Sequence, residues 1–453
     1  MIIKEKVSVI ISVDRWLNNY QIIKSSYLRL SAFICVLFLL SASPSFGFQT
    51  TFTPRLTISG EYNDNIFLTE NNKEYDYITS ISPGITFEIF EKRYGASLSY
   101  APSYVHYDKL SENDTWRQNA SLSGWSDLSK HTRLTINDTF VRTEDPNSGE
   151  DPGIEEDTTI RRNREPYYTN SSSLNLSHKF SEYDSIGLGY LHSFLENTDP
   201  DIEDNERHNP SVTYSHKFNP YLSLDTGASY TRGNFEVSDN FDNWNGSISL
   251  ANKFTKYLSG SIRYSHTIMD YRGNTEDYRV YDPSIGISYI IAEDTFLSMN
   301  VGYFIQDREN SDDESGLSLN GSLGKTWEFK RGSINATGSS GYEESYFGSE
   351  NLGFNRYYGA QASADYRIAK SLTGNISSSF RRNKYINQDD NRADRLKSAG
   401  AGLTFNPITI RWLHLSLNYS FNTLDSTINE NNYDENRVLL SITLSPPNPI
   451  PLN

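Results

Sequence analysis

One hairpin pattern recurs along this chain and limits what it can fold into. Residues 176–190 (LSHKFSEYDSIGLGY), 214–230 (YSHKFNPYLSLDTGASY) and 250–266 (LANKFTKYLSGSIRYSH) are variants of one another. Each is an alternating strand, a Lys-Phe pair, a turn of two or three residues and a second alternating strand. The anchors Phe180, Phe218 and Phe254 lie 38 and 36 residues apart; Phe329 follows about two units later, and Ile368 holds the same place after that. Within the strands the alternation is strict. In 413–421, Leu413, Leu415, Leu417, Tyr419 and Phe421 oppose His414, Ser416, Asn418 and Ser420. Period-two alternation of that length gives one apolar and one polar face. In a soluble sandwich two apolar faces meet each other; in a barrel they meet lipid.

The connections separate these options. One set is minimal, such as Ser181-Glu182, Asn219-Pro220, Lys330-Arg331 and Asn406-Pro407. The other is longer and acidic, as at 145–165, 199–205, 307–314 and 385–394. Short turns on the periplasmic side and long loops outside are the outer-membrane pattern. The reading is therefore all-β: a transmembrane antiparallel up-and-down β-barrel of about 20 strands, with 18 the nearest rival. Strands are expected near 52–67, 76–91 and 93–107, and so on to 411–425 and 433–445. They use nearly all of 48–453 and leave no plug domain. A mean hydropathy of −0.60 does not oppose this, because the two faces of a barrel strand cancel in any window. The tyrosine surplus, 31 Tyr against 23 Phe, suits interfacial girdles.

Residues 1–47 read as a signal peptide. Lys24 and Arg29 precede the apolar run 30–40 (LSAFICVLFLL), which is too short to span as a helix, and the small-residue stretch SASPSFG follows. Cys35, the lone cysteine, lies in that run, so disulfides play no part in the mature chain. Removing 1–47 takes the net charge from −16 to −19, which excludes nucleic acid as a partner.

No catalytic motif stands out, and no cofactor is implied. Gly324-Lys325-Thr326 resembles the tail of a phosphate loop, but Leu319 stands where the first Gly is required. The eight His are scattered without HExxH-type spacing, so a built-in metal site is not expected; His178 and His216 recur two residues before their Phe anchors and suit a girdle. The acids Glu144, Asp145, Glu150, Asp151, Glu155, Glu156 and Asp157 crowd one loop without Ca-loop spacing, so a solvated loop is favoured over cation binding. Arg161, Arg162 and Arg164 close it, to pair with its own acids or with lipopolysaccharide phosphate. That loop is the one judged long enough to constrict the lumen. Strand parity puts small polar residues such as Ser173, Asn175, Ser229, Ser247 and Ser377 inside, with sparse charges. The pore-lining candidates are Lys179, Asp225, Lys253, Arg263 and Arg381. The periplasmic girdle candidates are Phe180, Phe218, Phe254 and Phe329.

Residues 54–89 (PRLTISGEYNDNIFLTENNKEYDYITSISPGITFEI) carry Tyr-x-Asp-Asn-Ile at 62–66, a polar loop, Asp76 and Ile-x-Pro-Gly-Ile at 81–85. This segment resembles the first hairpin of the putative β-barrel porin type 2 family, and the likeness in character extends over the mature chain. The resemblance implies a Gram-negative outer-membrane barrel that takes part in polysaccharide export, with outer-membrane lipid and lipopolysaccharide around it and periplasmic export components as partners. The alternative is a general or substrate-specific diffusion porin for small hydrophilic solutes. A non-conducting scaffold ranks third and an enzyme last; oligomeric state is left open. The chain departs from the family pattern at its end, where SPPNPIPLN replaces a terminal aromatic residue.

Overall fold

The structure is a computed structural model and describes residues 49–146, 162–345, 347, 352–385 and 392–452. The expected signal peptide and Arg161, Glu150, Asp151, Glu155, Glu156 and Asp157 lie outside the described residues. Twenty antiparallel strands follow one another as an up-and-down meander. They run from β1 (Gln49–Asn63) and β2 (Asp76–Phe90) to β19 (Leu413–Ser426) and β20 (Tyr433–Leu444). Strand β20 returns to pair with β1, from Leu56↔Leu444 to Asn63↔Arg437, and closes the barrel. Closure pairs the first strand with the last, so neither end of the sheet is left as an open edge that lipid could not satisfy. The strand count matches the sequence expectation, and most boundaries fall within two residues of it.

The register explains the two faces. Directly paired residues point the same way, and apolar side chains pair with apolar ones across successive strands: Leu188↔Val212, Ile248↔Tyr264, Ile262↔Ile285 and Val301↔Leu319. This outer face stays bare, with Ile262 66% and Leu317 72% exposed. In the membrane it is covered by lipid chains. The opposite, inner face carries the Ser, Asn, Thr and Gly residues.

The minimal turns link β2 to β3 (Tyr94–Tyr107), β4 (Thr115–Asp127) to β5 (Thr132–Thr143), β6 (Tyr167–Lys179) to β7 (Asp184–Asn197) and onward through β12 (Tyr278–Ala292) and β13 (Thr295–Arg308), at the same end as Gln49 and Leu444. Gly332 opens β15 (Gly332–Ser345) beside the turn at 330–331, where a Cβ would come within 2.0 Å of the Asp365 carbonyl oxygen. Only glycine lets the neighbouring strand approach so closely. One connection is longer than expected: β18 (Ala393–Phe405) stops before Asn406-Pro407, and β19 starts only at Leu413. Pro407 offers no N–H to a ladder, and the chain turns through 406–412 instead. The C-terminal tail is not loose. Ile450 and Pro451 form a short strand, β21, that pairs with Phe52 and Thr51 and prolongs the seam beneath β20.

Candidate pore constriction

The interior of the wall carries charge in a definite arrangement. Strand register sets up one row, Lys179↔Ser185, Ser185↔Ser215, Ser215↔Asp225, Asp225↔Ser249, Ser249↔Arg263 and Arg263↔Ser284. Three of the five pore-lining candidates thus share a single row across β6 to β12, on the face of the small polar residues. Asp225 accepts a 2.6 Å hydrogen bond from Ser215 Oγ. Lys253 ends β10 (Phe241–Lys253), below that row, opposite Ser259. Arg381 stands apart on β17 (Leu372–Tyr385), where its guanidinium bonds Glu343 and lies 4.2 Å from the centre of the Tyr357 ring. Lys179 and Lys217 line a groove of about 490 Å³ at the short-turn end.

The four girdle candidates sit on the short-turn rim. The N–H groups of Phe180, Phe218 and Phe254 bond the carbonyls of Asp184, Leu222 and Leu258 at 3.0, 3.0 and 2.9 Å. Their rings are exposed. His178 and His216 each pack edge-on to the following Phe at 4.6 Å. Phe329, at the end of β14 (Glu314–Phe329), stacks on Tyr366 at 6.1 Å.

The loop end is built differently. A bare barrel in which lumen and lipid faces both meet open space has no fully buried wall residues. Yet on the inner face Val105, Tyr107, Met269 and Phe304 are 1% exposed or less. Protein must therefore fill the lumen there, and two groups of residues do so.

The first centres on the start of the 144–166 loop. Glu144 and Asp145 turn inward and are buried. Asp145 accepts hydrogen bonds from Arg437 Nη2 at 2.8 Å and from Arg164 Nη1 at 3.4 Å, and lies 3.9 Å from Arg117. Glu144 takes Arg117 Nε at 3.0 Å and the Tyr107 hydroxyl at 2.8 Å. Arg437 also forms a two-pronged pair with Glu61, both contacts 3.0 Å. Arg164 donates to the Ile66 carbonyl at 2.9 Å, and Ile66 packs with Ile78, Val105 and Tyr107. Since β5 and β20 are separated by four strands on one side of the barrel, Asp145 and the Arg437 side chain meet across part of the bore. Burial alone would raise the Asp145 carboxyl, but the guanidiniums of Arg437, Arg164 and Arg117 outweigh it and hold the group well below the usual carboxylate range.

These contacts correct the expectation of a solvated acidic loop for Glu144 and Asp145. Arg164 does pair with its own loop's acid, as one of the two expected roles. Arg162 instead reaches Asn431 at 3.5 Å.

The second is an inward-turned strand edge that the sequence reading missed. Strands β14 and β15 pair only from Leu323↔Gly338 to Phe329↔Gly332. Strand β15 stays paired with β16 (Gly353–Ala369) as far as Ser345↔Gly353. Strand β16 in turn stays paired with β17 up to Asn355↔Tyr385, so beyond Gly338 the sheet parts between β14 and β15, and the edge formed by β15 and β16 overlaps the inner face of the strands before it. The Tyr342 hydroxyl donates to Asp282 on β12 at 2.8 Å. Phe354 lies 5.6 Å from Phe304, and the Arg356 guanidinium 4.9 Å from the same ring. Phe347 packs on Phe241 and Phe235 at 5.6 and 5.7 Å. The one signal for either group was a breach of parity: Ile78, Val105, Met269, Val280 and Phe304 are apolar residues on the polar face, all towards the loop end.

A sequence profile described as Putative beta-barrel porin 2 matches residues 49–189 and 315–445. No curated protein matches. Among solved structures, the FrpB iron transporter from Neisseria meningitidis is 11% identical, with a TM-score of 0.50 over 87% of this chain and 82% of that one. A BenF-like porin from Pseudomonas fluorescens Pf-5 is 10% identical, with a TM-score of 0.42 over 88% and 99%. OccK2 of Pseudomonas aeruginosa, solved in complex with glucuronate, is 12% identical, with a TM-score of 0.41 over 87% and 98%. The likeness to FrpB is one of fold.

Proposed function

The chain belongs to the Putative beta-barrel porin 2 family of Gram-negative outer-membrane barrels, and we propose that it is a diffusion channel for small hydrophilic solutes, selective through its narrowed extracellular half. The observation that carries this reading is the bonding of Asp145 by Arg437 and Arg164, which holds the two ends of the loop over part of the bore. Small solutes pass around such a segment. A polysaccharide in transit needs a clear bore along its whole length, so the export role implied by the family resemblance gives way to diffusion. In this reading Lys179, Asp225, Lys253, Arg263 and Arg381 supply the fixed charges of the lumen. Phe180, Phe218, Phe254 and Phe329 seat the barrel at the periplasmic interface, and 1–47 directs its export. Lipopolysaccharide surrounds the loop end.

Liposome swelling with refolded protein tests the proposal. Pentoses and hexoses should enter quickly and chain-like dextrans should not. Dextran entry as fast as glucose would favour polymer export. Absence of swelling with pentoses, in both the wild type and Arg437→Ala, would rule out a channel.

A further inference from the structure

Outside the lumen, three side chains converge on the outer face of β7 (Asp184–Asn197) and β8 (Asn205–Lys217). His192 and His208 are direct register partners, and Glu206 lies two residues along β8 from His208, so all three share a face. Their face is that of Leu188 and Val212, and their place is near the loop end of both strands. Glu206 Oε1 stands 2.9 Å from His192 Nε2 and 3.4 Å from His208 Nε2. The two imidazole rings are 4.9 Å apart.

We propose that His192, His208 and Glu206 form a binding site for a divalent transition metal, with zinc the best fit. Ligands held at about 2.0–2.1 Å in a tetrahedron are about 3.3 Å apart. The two Nε2-to-Oε1 separations bracket that value, so a metal enters with small side-chain movements. Two imidazoles and one carboxylate are a donor set suited to zinc, copper or nickel rather than to calcium or magnesium. His208 is also oriented from behind: its Nδ1 lies 2.9 Å from the Tyr190 hydroxyl. An outer partner of this kind fixes the tautomer and leaves Nε2 free to ligate. Three protein ligands leave a fourth position for water, on the outer surface of the wall. The histidines are 16 residues apart in the sequence; cross-strand pairing alone makes them neighbours, which is why motif spacing gave no sign of the site.

The test is calorimetric titration of refolded, metal-free barrel in detergent with zinc, alongside cobalt as a visible-absorption probe of tetrahedral geometry. The expected result is one equivalent bound, with a tetrahedral cobalt spectrum. His192→Ala and His208→Ala should each weaken binding about tenfold or more, and Tyr190→Phe about tenfold. His216→Ala, at the opposite rim, should change nothing. Binding should also fall on acidification, because the ligands must be deprotonated. Lack of a saturable equivalent in the wild type overturns the proposal, as does one that persists in His192→Ala/His208→Ala. Should that double variant not refold, the near-isosteric Glu206→Gln decides: unchanged binding overturns the site. None of these readouts depends on conduction, so the site and the channel stand or fall separately.

Discussion

Asp145 and Arg437 are 292 positions apart in the chain and 2.8 Å apart in space. Nothing local marks Asp145 out from the other acids of its loop, so the sequence favoured a solvated role for it. Folding buries it among three guanidiniums. Arg437→Ala would leave Asp145 and Glu61 facing each other without their shared cation. Removing one partner of a buried pair costs about 3–5 kcal/mol. The expected outcome is a loss of that order in urea unfolding, with a rise in single-channel conductance; an unchanged conductance would mean that the pair does not narrow the bore. Acid should act late on the same contact. Asp145 is held below its ordinary value of about 3.9, so its stabilisation is fully present above that pH and is lost only as pH falls through the lower, folded-state value. Conductance should therefore be insensitive to this group from neutrality down to about pH 4. A step near pH 5–6 would contradict the assignment.

At the scale of elements, the twenty strands were legible because their signal is local. Side chains alternate faces with period two, and short turns mark the ends. The turn after β18 was misjudged because Asn406-Pro407 looks like a two-residue hairpin turn, whereas the chain uses 406–412. The inward-turned edge of β15 and β16 was invisible for a different reason. Its residues keep the alternation of an ordinary hairpin, and Tyr342 and Phe354 look like lipid-facing side chains. Only the loss of pairing beyond Gly338 turns that face onto Phe304 and Asp282. Phe354 is fully buried, so Phe354→Ala should cost about 3–5 kcal/mol. The expected signature is faster hydrogen exchange in the loop-end halves of β15 and β16 with the remaining ladder unchanged, together with a larger conductance. Uniform loss of protection around the barrel would show that the overlap is not a local unit.

At the scale of the whole molecule, a closed barrel follows from what each strand presents to its two sides. That much the sequence determined: strand number, the apolar outer face, the small polar inner face, the short-turn end and the aromatic rim. These are properties of residues near one another in the chain, and the steric rule of the pleat makes them readable. Tertiary structure alone decided what occupies the bore and what meets on the outer wall. The Asp145 lock, the β15–β16 edge laid over β12 and β13, and the His192–Glu206–His208 cluster all depend on register and on contacts between distant segments. Such contacts form only once the barrel has closed and set the distance between its walls. The parity breaches at Val105, Met269 and Phe304 are the trace that the lumen contacts left in the sequence, because an apolar side chain facing the lumen must be covered by something else in the protein.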